Sequence, residues 1–177
     1  MRFRETALAG VYVISLEHRG DERGSFARAF CVEEFGKQGI PMAIVQTNVS
    51  VSRRRGTVRG MHLQVHPAAE AKLVRCMRGA VLDVAADLRP GSATYGQWIG
   101  VELTEDNGDA LYLPESCAHG FQTLTDDAAI LYDTSAPYTP EAVRGVRYDD
   151  PVLDIRWPLP VSVISQQDRE WPWLDAG

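Results

Sequence analysis

The stretch KLVRCMRGAVLDVAADL, residues 72–88, decides the fold. In an extended chain Lys72, Val74 and Cys76 share one face, with Leu73, Arg75 and Met77 opposite. Its β-branched, apolar character marks it as strand. Working outward, GVYVISLEH (10–18), MAIVQTNVSVS (42–52), WIGVELT (98–104), DALYLPE (109–115), GFQTLT (120–125) and AILYDTS (129–135) read the same way, punctuated by Gly, Pro, Asp and Asn. DNGD at 106–109 has the composition of a hairpin turn. CVEEFGKQGI (31–40) places Val32 and Phe35 at helical spacing and stops near Gly39, so a short helix is expected. The tail SQQDREWPWLDAG (165–177) fits one helical turn that docks tryptophans. Many short strands and little helix imply an all-β sandwich or barrel, and a jelly roll closing around a cavity fits. The length, 177 residues, suits a single domain over 1–177.

The formal net charge is −6, which argues against a nucleic-acid partner because such binding needs a basic face. It leaves room for a small basic pocket that takes a phosphorylated ligand. No apolar run is long enough to span a membrane. The start, MRFRETALAG, lacks an apolar segment followed by a small-residue cleavage site, so a cytoplasmic protein is expected. Cys31, Cys76 and Cys117 are scattered, with no CxxC, and read as reduced thiols used mainly in packing.

Just before the opening strand lies GMHLQVHPAAEA (60–71). His62, Gln64 and His66 share a face for as long as the strand stays regular, and Pro67 ends it. Lys72 on an inward face is costly unless it has a partner or a task. Three chemistries are open to this cluster. The histidines can be satisfied core or rim residues while the lysine snorkels out. His62, His66, Glu70 and His119 can be metal ligands, although HxxxH replaces the HxH of metal-binding jelly rolls and Pro67 places Glu70 outside the barrel. Metal-free acid/base work is the third. Elsewhere LPESCAHGFQTL (113–124), ILYDTSAPYTPEA (130–142) and VISQQD (163–168) add His119, Tyr132, Tyr138 and Asp168. Singly, Tyr132 is a core tyrosine with its hydroxyl at the rim, and Asp168 a helix-capping or turn residue.

Taken together, DERGSFARAF (21–30), QTNVSVS (46–52), GTVRGMHLQ (56–64), KLVRCMRGAVLDVAADLRPGSATYGQW (72–98), LYLPESCAHGFQTL (111–124) and RGVRYDDPVLDIRWPLPVSVISQQD (144–168) resemble the nucleotide-sugar 3,5-epimerases, typified by dTDP-4-dehydrorhamnose 3,5-epimerase. The resemblance covers nearly the whole chain. It implies a cupin-type jelly-roll barrel with a few short helices, a homodimer, no metal and no other cofactor. The implied substrate is a dTDP-linked 4-keto-6-deoxy sugar. By the same resemblance His62 matches the catalytic base, Asp168 its paired carboxylate, Tyr132 the general acid on the opposite face of the sugar, and Lys72 the lysine near the C4 ketone. His119 lines that pocket and Arg59 matches a diphosphate-binding arginine. Arg23, Phe26, Gln46, Asn48 and Tyr138 match positions around the nucleotide, some of them supplied by the partner subunit.

That assignment is chemically coherent. Protons at C3 and C5 are alpha to the ketone, and a neutral histidine is a suitable base near pH 7. Inversion requires a second proton donor across the ring. His66 receives no role, and Arg53, Arg54 and Arg55 read as a solvated turn, with Arg54 or Arg55 within possible reach of the phosphates. Two positions depart from the family pattern. Asp133 stands where lysine commonly follows the acid tyrosine, which predicts an altered Tyr132 and opens the option of inversion at C3 or C5 only. Arg28 stands where glutamate is common, which opens the option of another nucleotide such as CDP. A metal-dependent cupin and a binding-only cupin are the remaining alternatives.

Overall fold

The computed structural model describes residues 1–174. Thirteen short strands carry the architecture: β1 (Arg2–Glu5), β2 (Tyr12–Ser15), β3 (Arg19–Asp21), β4 (Gly24–Phe26), β5 (Gln46–Ser52), β6 (Val58–Gln64), β7 (Lys72–Arg78), β8 (Ala80–Asp87), β9 (Trp98–Thr104), β10 (Ala110–Leu113), β11 (Cys117–Thr123), β12 (Ala128–Thr134) and β13 (Val143–Gly145). Two short helices, α1 (Val32–Lys37) and α2 (Gln166–Glu170), and one 3-10 turn (Pro140–Ala142) complete it. A six-stranded sheet runs β1-β2-β10-β7-β12-β5, and a five-stranded sheet runs β13-β6-β11-β8-β9. Every neighbouring pair in both sheets is antiparallel, and β3 and β4 form a separate two-stranded ribbon.

The opening stretch divides at Gly79, whose φ of +73° favours glycine. Its first half, β7, lies in the larger sheet and its second, β8, in the smaller, so the chain changes layers there. The alternation holds across β7. Val74 and Cys76 enter the core between the sheets with Val13, Val81, Leu103, Leu111, Phe121 and Ile130. Leu73 faces the other way, into a second cluster that α1 caps with Phe35. The outer face of the smaller sheet is covered by Val146, Leu153 and Ile155, which pack on Met61, Leu63 and Val84. Both large sheets are thus buried on two sides, which is why many of their strands show no polar face.

Several expectations need correction. DNGD joins β9 to β10, which lie in different sheets, so it is a crossing between layers and not a hairpin. Residues 42–45 are not strand, and β5 begins at Gln46. The first strand, the β3–β4 ribbon and β13 escaped notice because each is only three or four residues long. The tail forms α2 as expected; residues 175–177 lie outside the described residues.

Candidate active site

His62 sits on β6 opposite His119 on β11, where the two are register partners. Between His62 and Arg59 the register slips by one residue against β11, a bulge that gives β6 an extra residue. Residues three apart on a regular strand point to opposite faces. The bulge cancels that, and Arg59 and His62 line the same cavity. Gly60 makes the slip possible. Its φ is +125°, and a Cβ there would lie 2.5 Å from the Cα of Gly120.

The carboxylate partner arrives from the far end of the chain. The segment before α2 is pinned to the start of β6 by a Thr57–Val163 bridge and by the Val58 N–H, which donates to the Val163 carbonyl at 2.9 Å. Ser165 caps α2 by accepting from the Asp168 N–H at 3.0 Å, so Asp168 occupies the first turn and is not itself the cap. Its Oδ1 lies 2.5 Å from His62 Nε2, and its Oδ2 accepts from the Gly60 N–H at 3.3 Å. Burial pushes this carboxyl up, but the bonds from His62, Gly60 and Ser165 outweigh it and hold it below its ordinary value. Trp171 stands edge-on to the His62 ring at 6.0 Å and covers Gly145, the register partner of His62 on β13. A Cβ on Gly145 would overlap that indole.

The larger sheet supplies the opposite wall. Lys72, Tyr132, Asn48 and Gln46 line it from β7, β12 and β5, with Tyr132 paired to Val74 and Asn48 and Thr134 paired to Lys72. Two adjoining lobes, about 500 Å³ and about 440 Å³, share His62, Lys72, Tyr132 and Gln167 as their common wall. The first also holds Arg59, His119 and Asp168, and the second Gln46, Asn48, Glu70 and Tyr138. His119 Nε2 lies 2.7 Å from Asp83 Oδ1. Gln46 ties its lobe together: its amide donates to Asn48 Oδ1 at 2.9 Å and its oxygen accepts from the Tyr138 N–H at 3.1 Å. Burial raises the Tyr132 phenol above its ordinary value, and the Glu70 charge adds to the rise.

Nine of the expected residues therefore meet at one cleft: His62, Lys72, His119, Tyr132, Asp168, Arg59, Gln46, Asn48 and Tyr138. Arg23 and Phe26 do not. They lie on the exposed β3–β4 ribbon, where Arg23 pairs with Asp21 and Phe26 is 72% exposed. His66 leaves the His62 face because β6 ends at Gln64, and it sits exposed in the following turn, 3.8 Å from Glu115. Glu70 is inside, not outside, and its carboxylate lies 3.2 Å from Lys72 Nζ. Of the four candidate metal ligands only His66 leaves the cleft, but among the described residues no group of three or more His, Cys, Asp or Glu is placed to hold a metal ion. Asp133 points to the opposite face from Tyr132, where Thr47 donates to it at 2.6 Å and the buried Arg75 lies nearby. Glu70 enters the sequence reading only as a metal ligand and Asp83 not at all, although each shows the signal that marks Lys72: a charge at inward parity, Glu70 two residues before Lys72 and Asp83 between Val81 and Ala85.

The sequence matches the family model described as dTDP-4-dehydrorhamnose 3,5-epimerase over residues 5–176. The chain belongs to the dTDP-4-dehydrorhamnose 3,5-epimerase family. A family relative from Sinorhizobium fredii, named dTDP-4-dehydrorhamnose 3,5-epimerase, is 45% identical over 98% of this chain and 90% of its own. A dTDP-4-dehydrorhamnose 3-epimerase from Streptomyces niveus is 42% identical over 96% of this chain and 82% of its own. A dTDP-6-deoxy-D-glucose-3,5-epimerase from Legionella pneumophila, solved in complex with dTDP-4-keto-L-rhamnose, superposes with a TM-score of 0.91 at 36% identity, covering 97% of this chain and 92% of that one. Membership of the dTDP-4-dehydrorhamnose 3,5-epimerase family makes the chain an isomerase with the cupin-like jelly-roll fold, acting in deoxysugar biosynthesis.

Proposed function

We propose that this epimerase inverts C3 and C5 of a dTDP-linked 4-keto-6-deoxyhexose, with His62 as base and Tyr132 as the opposing acid. The observation that carries this is the placement of the two groups on opposite sheets of one cavity. His62 Nε2 is engaged by Asp168, and Nδ1 has no partner among the described residues. That free nitrogen takes the proton from the carbon next to the ketone, and Asp168 stabilises the imidazolium that forms. The electron pair moves onto the C4 oxygen, where the Lys72 ammonium meets the developing charge. Tyr132 then delivers a proton to the other face of the same carbon. The ketone supplies the acidity, so the scheme uses no metal and no organic cofactor. Arg59 and the nucleotide lobe hold the remote end of the substrate, binding energy that keeps the sugar in register with the base.

Arg23 and Phe26 belong to this scheme only if a second copy of the chain brings its ribbon to the cleft, so the active form is a homodimer. Val49 and Val51 on edge strand β5, exposed at 66% and 49%, fit a covered face better than a solvated one. Three free cysteines suit the reducing cytoplasm.

Proton NMR of dTDP-4-keto-6-deoxyglucose with the enzyme in D₂O and EDTA tests the reading. Loss of both the C3 and C5 proton signals is expected, with none in His62→Ala; full exchange in that variant sinks the assignment. Exchange at C3 alone would favour the mono-epimerase reading, for which the 3-epimerase from Streptomyces niveus is the precedent.

A further inference from the structure

We infer that Glu70 is a positioning residue for the epimerisation: its carboxylate aims the Lys72 ammonium into the cavity and keeps a fixed negative charge beside the Tyr132 phenol. The inference rests on the functional reading above. The geometry is that of a built pair. Glu70 Oε1 lies 3.2 Å from Lys72 Nζ, and both side chains are 9% exposed. The other oxygen, Oε2, accepts from Gln64 Nε2 at 3.2 Å. Gln64 is itself fixed: its two amide hydrogens are shared among Glu70 Oε2 and the carbonyls of Ala68 at 3.0 Å and Pro137 at 3.1 Å, and its oxygen accepts from the Thr139 N–H at 2.6 Å. The carboxylate is thus anchored independently of the lysine through Oε2, on a segment that Gln64 ties to the loop after β12, so the lysine follows it. The other Lys72 contact, with the His62 carbonyl, is long at 3.4 Å and sets no direction.

Two consequences follow for the chemistry. An enolate oxygen is stabilised only by a charge already in place when the proton leaves, and an untethered four-carbon ammonium is not in place. The second concerns the proton donor. His62 and Arg59 from β6, Lys72 from β7, His119 from β11, Tyr138 from the loop after β12, and Glu70 all face Tyr132. Among those acting on the phenol, Glu70 favours the protonated form and Arg59 opposes it. Glu70 thus keeps Tyr132 protonated to higher pH.

Glu70→Gln keeps the shape and a hydrogen-bonding oxygen but removes the charge. In the same D₂O assay, kcat is expected to fall at least about tenfold with KM changed by less than about threefold. The alkaline limb of the kcat profile is expected to move to lower pH. Glu70→Asp keeps the charge and withdraws it by one methylene: kcat falls while the alkaline limb stays in place. Native kcat in either variant, or a fall matched by a proportional rise in KM, overturns the inference. Should Glu70→Gln fail to fold, Glu70→Asp decides on the same criteria. Exchange by the unaltered enzyme with unchanged variants defeats this inference alone. No exchange by the unaltered enzyme defeats the functional reading and this inference with it.

Discussion

Asp168 is 94% withdrawn from solvent at its side chain, with 6% exposed, and each of its oxygens is engaged. It fixes the His62 tautomer and offsets the positive charge that His62 gains during turnover. Asp168→Asn keeps the size and loses the charge, and the exchange rate is expected to drop roughly 10²- to 10⁴-fold. The same carboxyl links stability to pH. Its folded pKa lies below the unfolded value near 4, so the stability it confers is present above about pH 4 and is lost as pH falls through the folded value. Melting curves of the enzyme and of Asp168→Asn should therefore differ above about pH 4 and converge as pH falls below it. A gap that persists into strong acid would mean the carboxylate is not the stabilising species.

At the scale of the element, the bulge in β6 sets the site. It turns Arg59 and His62 to one side, and it depends on the contact between Gly60 and Gly120. Gly60→Ala is expected to cost at least about 2 kcal/mol, since the added methyl meets backbone at a φ of +125°. A drop in melting temperature of roughly 4–8 °C, measured by calorimetry, corresponds to that cost. A variant with native stability would show that β6 can shed the bulge. Strand periodicity made the regular elements legible: the faces of β7 follow from the alternation of Lys72, Val74 and Cys76 against Leu73 and Arg75. It could not make the bulge legible, because a slip is decided by two glycines some sixty residues apart in sequence. Nor could it bring Asp168 to His62, a pairing of positions 106 residues apart. Resemblance to a family carried that information. Where local rules stood alone they misled: β6 ends at Gln64, before Pro67 is reached, and the chain turns back and delivers Glu70 inside. Asp133 is next to Tyr132 in sequence, but neighbours on a strand face opposite ways and its carboxylate bonds Thr47.

For the whole molecule, the open question is the second copy. The single chain leaves Arg23 85% exposed, far from any role at the cleft that contains Arg59. Light scattering at micromolar concentration is expected to give twice the 19.6 kDa chain mass. Arg23→Ala is expected to raise KM roughly tenfold with little change in kcat, the signature of lost ground-state binding. A monomer of full activity would remove Arg23 and Phe26 from the site altogether.

The pairing of a β6 histidine with a carboxylate from the last helix also orders events during synthesis. Both sheets are complete once Gly145 has left the ribosome, whereas Asp168 emerges more than twenty residues later. Every strand is therefore synthesised before the base has an orienting acid. A chain cut ahead of α2 carries all thirteen strands without Gln167 and Asp168 at the cleft. Such a chain keeps His62 and Tyr132 but has no carboxylate to orient the base.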